Sequence, residues 1–206
     1  MKESKSHLDK LLIASGFIGP VIFFLTVYFL FALLYPGYDP TNQTISELGN
    51  ASSPVKTLTN VFGFSLFGIF IILFAYGVFR SKEIGVLGKI ASVFFFLTGI
   101  LMYLVGIFYS KSEYSILTSL HIIVANYQFP ILTIGLVLFA FDVSGHKKLR
   151  WLTPIILPLG IITLVLAYYF LFTHDLPNRG IWQRAAIGIP YIIMMIISIS
   201  LYKVQK

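Results

Sequence analysis

The sequence predicts an all-α integral membrane protein, with residues 1–206 forming one domain built as a bundle of six transmembrane helices. Of the 206 residues, 57% are hydrophobic and only 11% are charged, and the mean hydropathy is +0.88. About a quarter of the residues of a soluble domain are charged, so lipid must cover most of this surface. A membrane-spanning helix needs about 20 mostly apolar residues, and six stretches reach that length. These stretches are continuous rather than alternating with period two, which disfavours a transmembrane β-barrel.

The predicted spans are 11–35, 57–80, 88–109, 117–141, 150–172 and 181–203. The first is too long for the core of a signal peptide, which has about 7–15 apolar residues, and is read as a retained helix. Its following loop is the only long connection, and short connections favour antiparallel neighbours. In that loop Thr44 or Asn42 is placed to cap a short helix over residues 45–48, which Gly49 would end.

The distribution of basic residues predicts the orientation. With the N-terminus inside, eleven of the 15 Lys and Arg residues lie on the inner side, and only Lys56, Lys111, Arg179 and Arg184 lie outside. Lysine and arginine accumulate in cytoplasmic loops, so both termini are expected in the cytoplasm and the protein in the cell membrane. The net charge of +7 is then a topological feature, and no nucleic-acid partner is expected.

The composition also argues against several kinds of functional site. The chain has no cysteine, which excludes disulfides, thiolate nucleophiles and cysteine-ligated metals. No charged residue lies near the centre of a span, which weighs against an ion-coupled transporter or pump. No cofactor or metal is expected, because no two histidines share a helical turn. A site from His121, His174 and either Glu47 or Asp175 is a weak alternative.

Small residues recur along the third span. Ser92, Gly99 and Gly106 are seven residues apart and form a stripe on one helix face. Such stripes let helix backbones approach closely in lipid, so the stripe predicts a packing seam.

The fourth span carries the deepest polar side chains of the bundle. Asn126 and Gln128 lie close to its middle. They are expected to form hydrogen bonds between helices, and contact with a buried ligand is the alternative.

Polar residues also converge on the outer side. Ser46 and Glu47 lie in the short loop helix, His121 lies one turn into the fourth span, and Gln183 and Arg184 lie one turn into the sixth. An arginine just inside the interface either reaches lipid phosphate or pairs with a carboxylate. The outer acidic residues are Asp39, Glu47, Glu113 and Asp175. Glu47 alone belongs to an ordered motif, so a Glu47–Arg184 ion pair is expected, which would serve a site or simply fasten the loop.

Three segments carry a resemblance to a known family. They are ISELGNASSPVKTLTN after the first span, the histidine early in the fourth, and GIWQR at the start of the sixth. Together they resemble the domain of unknown function 998 family, small six-helix membrane proteins of bacteria and archaea. The resemblance spans nearly the whole chain and implies a membrane protein whose activity is not established. The shared positions are Ser46, Glu47, Gly49, Pro54, His121, Gln183 and Arg184.

A second resemblance covers only the outer loop and the helix count. The pattern Ile-Ser-acidic-x-Gly followed by Pro54 is similar to that of eukaryotic DRAM and Sfk-type proteins, which include factors for remodelling lipid anchors.

Three hypotheses of function follow from these observations. The first is a module that binds a membrane lipid or a hydrophobic small molecule in a cavity beneath residues 45–49, lined by the second, fourth and sixth spans. Its expected ligand-binding residues are Ser46, Glu47, His121, Gln183, Arg184, Asn126 and Gln128. The second is a lipid-modifying enzyme with His121 as general acid/base and Glu47 as its partner. The third is a structural or partner-binding bundle, which needs no convergence of outer polar groups.

Overall fold

The fold is known from a computed structural model that describes residues 2–111, 115–173 and 176–205. Within those residues the chain is helical and forms no β-strand. Six helices are long and apolar enough to cross a membrane, and a short helix lies in the first long loop. In chain order they are α1 (His7–Leu33), α2 (Ile45–Leu48), α3 (Leu58–Arg80), α4 (Val86–Ile107), α5 (Ile116–Val143), α6 (Arg150–Phe172) and α7 (Arg179–Val204). The predicted fold class is therefore confirmed, including the loop helix.

The six long helices pack as a closed ring. Each contacts its neighbours along the chain, and α1 also packs against α7. The ring is closed by Ser198, whose hydroxyl donates to the Ile13 carbonyl at 2.7 Å. Its interior is aromatic: Phe23 stacks on Phe67 with ring centroids 4.5 Å apart, and Tyr191 meets Phe67 edge-on at 4.6 Å. Because lipid gives little hydrophobic drive between helices, this close packing and the interhelical hydrogen bonds hold the bundle together.

The predicted small-residue stripe packs against α3. A Cβ atom at Gly68 would lie 2.6 Å from the Gly99 carbonyl oxygen and 2.5 Å from the Tyr103 backbone nitrogen. Gly106 likewise faces the backbone of Asn60. Since backbone atoms oppose backbone atoms here, the seam cannot yield by rotation of a side chain.

The two ends of the bundle differ in chemistry. The loop end carries α2, and the opposite, terminal end carries the start of α1 and the end of α7. At the terminal end Arg80 pairs with Asp9 at 2.5 Å, and the His146 ring lies 3.2 Å from Glu83. Both pairs are partly exposed and are worth little in free energy individually.

We predict that the loop end faces outward. The chain has no cysteine, so Ser52→Cys at the loop end and Ser144→Cys at the terminal end each introduce a sole thiol at an exposed position. In intact cells a membrane-impermeant maleimide should label Ser52→Cys. It should label Ser144→Cys only after permeabilisation, because basic residues concentrate at the terminal end and mark the cytoplasmic side. The reverse labelling pattern would show that the orientation is inverted.

We also predict that the seam between α3 and α4 limits stability. Gly68→Val should lower the free energy of unfolding in detergent by about 1–3 kcal/mol, because the added atoms overlap backbone that cannot move. Gly145→Val is the matched control, since a Cβ atom at Gly145 meets no atom within 4 Å. Equal stability of the two variants would contradict the close approach.

Candidate functional site

A cavity of about 510 Å³ lies beneath α2 at the loop end of the bundle. Its volume falls within the range of about 300–1,000 Å³ that is usual for small-molecule sites. Helices α2 to α7 all contribute to it. Its polar lining residues are Thr44, Ser46, Glu47, Asn50, Ser110, Thr118, His121, Asn126, Gln128, Arg179 and Gln183, and its apolar ones are Phe64, Met102, Val105, Ile122, Ala125, Phe129, Phe170, Leu171 and Ile187. The predicted lining by the second, fourth and sixth spans is thus too narrow, because the third and fifth spans, α4 and α6, also line it.

A capping box stabilises the start of the short helix that covers this cavity. The Glu47 carboxylate accepts from the backbone N–H of Thr44 at 2.9 Å and from its hydroxyl at 3.0 Å. Thr44, rather than Asn42, is therefore the N-cap. A helix of four residues is unstable alone, so it depends on burial, and Ile45 and Leu48 are both fully buried. We call residues 45–49 the lid.

Two side chains from neighbouring helices fasten the lid. Gln183 of α7 accepts from the Ile45 backbone N–H at 2.6 Å and donates to the Ser46 hydroxyl at 3.2 Å. Asn60 of α3 donates to the Gly49 carbonyl at 2.8 Å. Gln183 also lines the cavity, so one amide both holds the lid and borders the space beneath it.

Arg184 clamps the segment that precedes the lid. Its Nη1 donates to the carbonyls of Pro40 at 2.6 Å and Gln43 at 2.9 Å, and its Nη2 donates to the Tyr38 hydroxyl at 2.7 Å. Burial raises the pKa of Tyr38, although the nearby Arg184 charge opposes that shift. A Cβ at Gly180 would collide with the same two carbonyls, so the loop lies directly against α7.

The predicted Glu47–Arg184 ion pair is wrong. The Glu47 carboxylate is taken up by Thr44 and by the Gln43 amide, which donates to it at 3.2 Å. Backbone carbonyls and the Tyr38 hydroxyl take up Arg184 instead. The cause is that the capping box holds the carboxylate on its own helix. Arg184 was expected to bind the ligand, but it does not line the cavity. The loop binds its guanidinium instead.

His121 lines the cavity and is buried, with only 6% of its surface exposed. Its ring lies near the backbone of Val105 and Phe108 at the end of α4. Its Nδ1 atom has no hydrogen-bond partner of normal geometry among the described residues. His121 therefore lies between the end of α4 and the cavity.

Six of the seven predicted ligand-binding residues line the cavity, and Arg184 is the exception. Asn126 is half-buried, whereas Gln128 is buried and accepts from the Tyr191 hydroxyl at 3.5 Å. Successive helical residues are about 100° apart, so Asn126 and Gln128 lie on opposite edges of the α5 face centred on Ile122, Ala125 and Phe129.

Arg179 also lines the cavity, although the sequence did not indicate it as a binding residue. Its guanidinium carbon lies 5.0 Å from the centroid of the Phe170 ring. Arg179, Gln183 and Ile187 are four residues apart on α7, which places them on one helix face. Arg184 belongs to the adjacent face. That spacing could have distinguished the two arginines.

Metal binding finds no support in the described part of the chain, where no three His, Cys, Asp or Glu side chains cluster. His174, Asp175 and Glu113 lie outside the described residues. The weak alternative of a site containing His174 or Asp175 therefore stays untested.

The fold defines the class: this is a multi-pass α-helical membrane protein with a cavity beneath the lid at one end. The chain belongs to the family described as protein of unknown function (DUF998), whose sequence model matches residues 17–200. The family resemblance seen in the three sequence segments is thus confirmed. No curated protein and no solved structure matches the chain. The likeness to DRAM and Sfk-type proteins stays a resemblance of the outer loop.

We predict that Arg184 keeps the loop and the lid in place. Arg184→Met should raise amide hydrogen exchange across residues 40–48 by at least about tenfold, because it removes several hydrogen bonds from a charged donor. Arg150→Met, at the terminal end, is the control and should leave this exchange unchanged. Unaltered exchange in Arg184→Met would contradict the clamp.

Proposed function

We propose that this protein binds a membrane lipid, or a hydrophobic small molecule resembling one, in the cavity beneath the lid. The observation that carries the proposal is the cavity itself, which has a volume of about 510 Å³ and is lined by six of the seven expected ligand-binding residues. His121, Asn126 and Gln128 are among these residues, and a ligand in the cavity would contact them.

The distribution of lining residues fits an amphipathic ligand. Polar side chains of the lid and of the start of α7, including Ser46, Glu47 and Arg179, border one part of the cavity. Apolar side chains that include Phe64, Met102 and Ile187 also line the cavity and provide an apolar wall. Ligand sites commonly combine an apolar wall with a few placed polar groups, and a lipid head group with its first methylenes would match both.

The proposal includes a route from the membrane into the cavity. Ile122 of α5 lines the cavity and is 51% exposed, and Leu171 of α6 also lines it. In the proposal, a ligand dissolved in the bilayer enters between α5 and α6 without crossing water. The excess of basic residues at the terminal end makes the outer leaflet the source that we propose.

Catalysis by His121 and Glu47 receives less support. Both residues line the cavity, but the Glu47 carboxylate is committed to Thr44 and Gln43. A histidine acting as general acid/base is commonly oriented by a hydrogen-bonded partner, and none is found for His121 among the described side chains. Binding needs only the cavity and its polar groups, and we therefore prefer it. A purely structural bundle would not require a cavity bordered by these polar groups.

We predict that filling the cavity displaces the ligand. Ala125→Phe should reduce lipid retained by the purified protein, measured by native mass spectrometry after release from detergent, by at least about tenfold, because the ring occupies the space of the ligand. Ile123→Phe is the matched control, because its side chain is half exposed on the lipid side of the same helix. Ala125→Leu tests the same space if the larger substitution prevents folding. Retention of lipid by folded Ala125→Phe and Ala125→Leu would refute the proposal.

A further inference from the structure

We infer that the head group of the ligand is uncharged and rich in hydroxyl groups, as in a glycosyl or glycerol group attached to acyl chains. This inference rests on the proposed function and names the chemical class that the cavity would select.

Among the described lining residues, most polar side chains are neutral groups that both donate and accept hydrogen bonds. They are the hydroxyls of Thr44, Ser46, Ser110 and Thr118, the amides of Asn50, Asn126, Gln128 and Gln183, and the imidazole of His121. A hydroxyl group of a ligand also donates and accepts, so it can satisfy either partner. A phosphate diester only accepts, and proteins bind it with clustered cationic or backbone N–H donors.

The charges of the described lining residues also disfavour an anion. Glu47 and Arg179 are the charged side chains among them, and their formal charges cancel. A phosphate in the cavity would meet repulsion from the Glu47 carboxylate as well as attraction from Arg179, so the described lining gives it no net electrostatic attraction. Arg184, the other arginine at this end, is occupied by the loop carbonyls and does not line the cavity. The available charge therefore matches a neutral head group better than a phosphate.

The positions of the amides on α5 suit a flat polyhydroxylated group. Asn126 and Gln128 flank the face of α5 that carries Ala125 and Phe129, so an amide stands on each side of an apolar surface. His121 lies two turns closer to the lid than Gln128. Hydrogen-bonding groups therefore surround an apolar patch, which suits a ring with hydroxyls at its edge and C–H groups on its face.

The test compares four lipids with identical dioleoyl chains: monoglucosyl-diacylglycerol, diacylglycerol, phosphatidylglycerol and phosphatidic acid. Each is titrated against the full-length protein in phosphatidylcholine nanodiscs, and occupancy is read by native mass spectrometry. The glucosyl lipid should bind at least about tenfold more tightly than phosphatidic acid or diacylglycerol, since a tenfold ratio needs only one or two additional hydrogen bonds. Phosphatidylglycerol, with both hydroxyls and a phosphate, should lie between them.

Variants connect this preference to the cavity. Gln128→Met and Asn126→Leu preserve side-chain size and should each reduce binding of the glucosyl lipid by about tenfold while leaving diacylglycerol binding unchanged. His121→Phe is an independent variant with the same expected result. Tyr127→Phe is the control, because Tyr127 lies between the two amides on α5 but is 61% exposed and does not line the cavity.

The possible failures can be told apart. If phosphatidic acid binds as tightly as the glucosyl lipid, or if the amide variants keep the preference, the inference about the head group is wrong while lipid binding stands. If none of the four lipids binds above the phosphatidylcholine background and Ala125→Phe retains as much lipid as Ile123→Phe, the proposed function itself is wrong.

Discussion

The attachment of the loop to the first two turns of α7 is the interaction on which the rest of the loop end depends. Gln183 and Arg184 are adjacent in sequence but point in different directions, because neighbouring residues of a helix are about 100° apart. Gln183 holds the lid above the cavity, whereas Arg184 binds the carbonyls of the preceding segment. These bonds take up the Ile45 N–H and the carbonyls of Pro40 and Gln43, and they hold the loop against the bundle.

This attachment also explains why a four-residue helix can serve as a cover. Its capping box satisfies the first N–H groups, its apolar side chains are buried, and Asn60 takes up the carbonyl at its end. The lid is therefore fixed at both ends and on its lower face. Gln183 fastens the lid and also borders the cavity. A ligand of the kind we propose would therefore share this amide group with the lid.

Much of the fold could be predicted from the sequence because its signals are local. Continuous apolar runs give the six spans, and Thr44 with Glu47 gives the cap of the lid. The partner of Arg184 could not be predicted in this way. A carboxylate is the stronger acceptor for a guanidinium, but several backbone carbonyls can replace it. Only the path of the loop brings the carbonyls of Pro40 and Gln43 into reach. The predicted spans leave Arg179 in the connection before the sixth span, although its four-residue spacing to Gln183 puts both on one face of α7.

The same competition for partners determines what the cavity offers to a ligand. At the loop end two charged side chains stabilise the fold itself: Glu47 caps α2, and Arg184 binds the carbonyls of the loop. Among the described residues, what remains around the space is mostly neutral: hydroxyls, amides and the imidazole of His121. Recognition in such a site depends on matching donors with acceptors rather than on attraction between net charges. The chemistry of the cavity therefore follows from the way the loop is fastened.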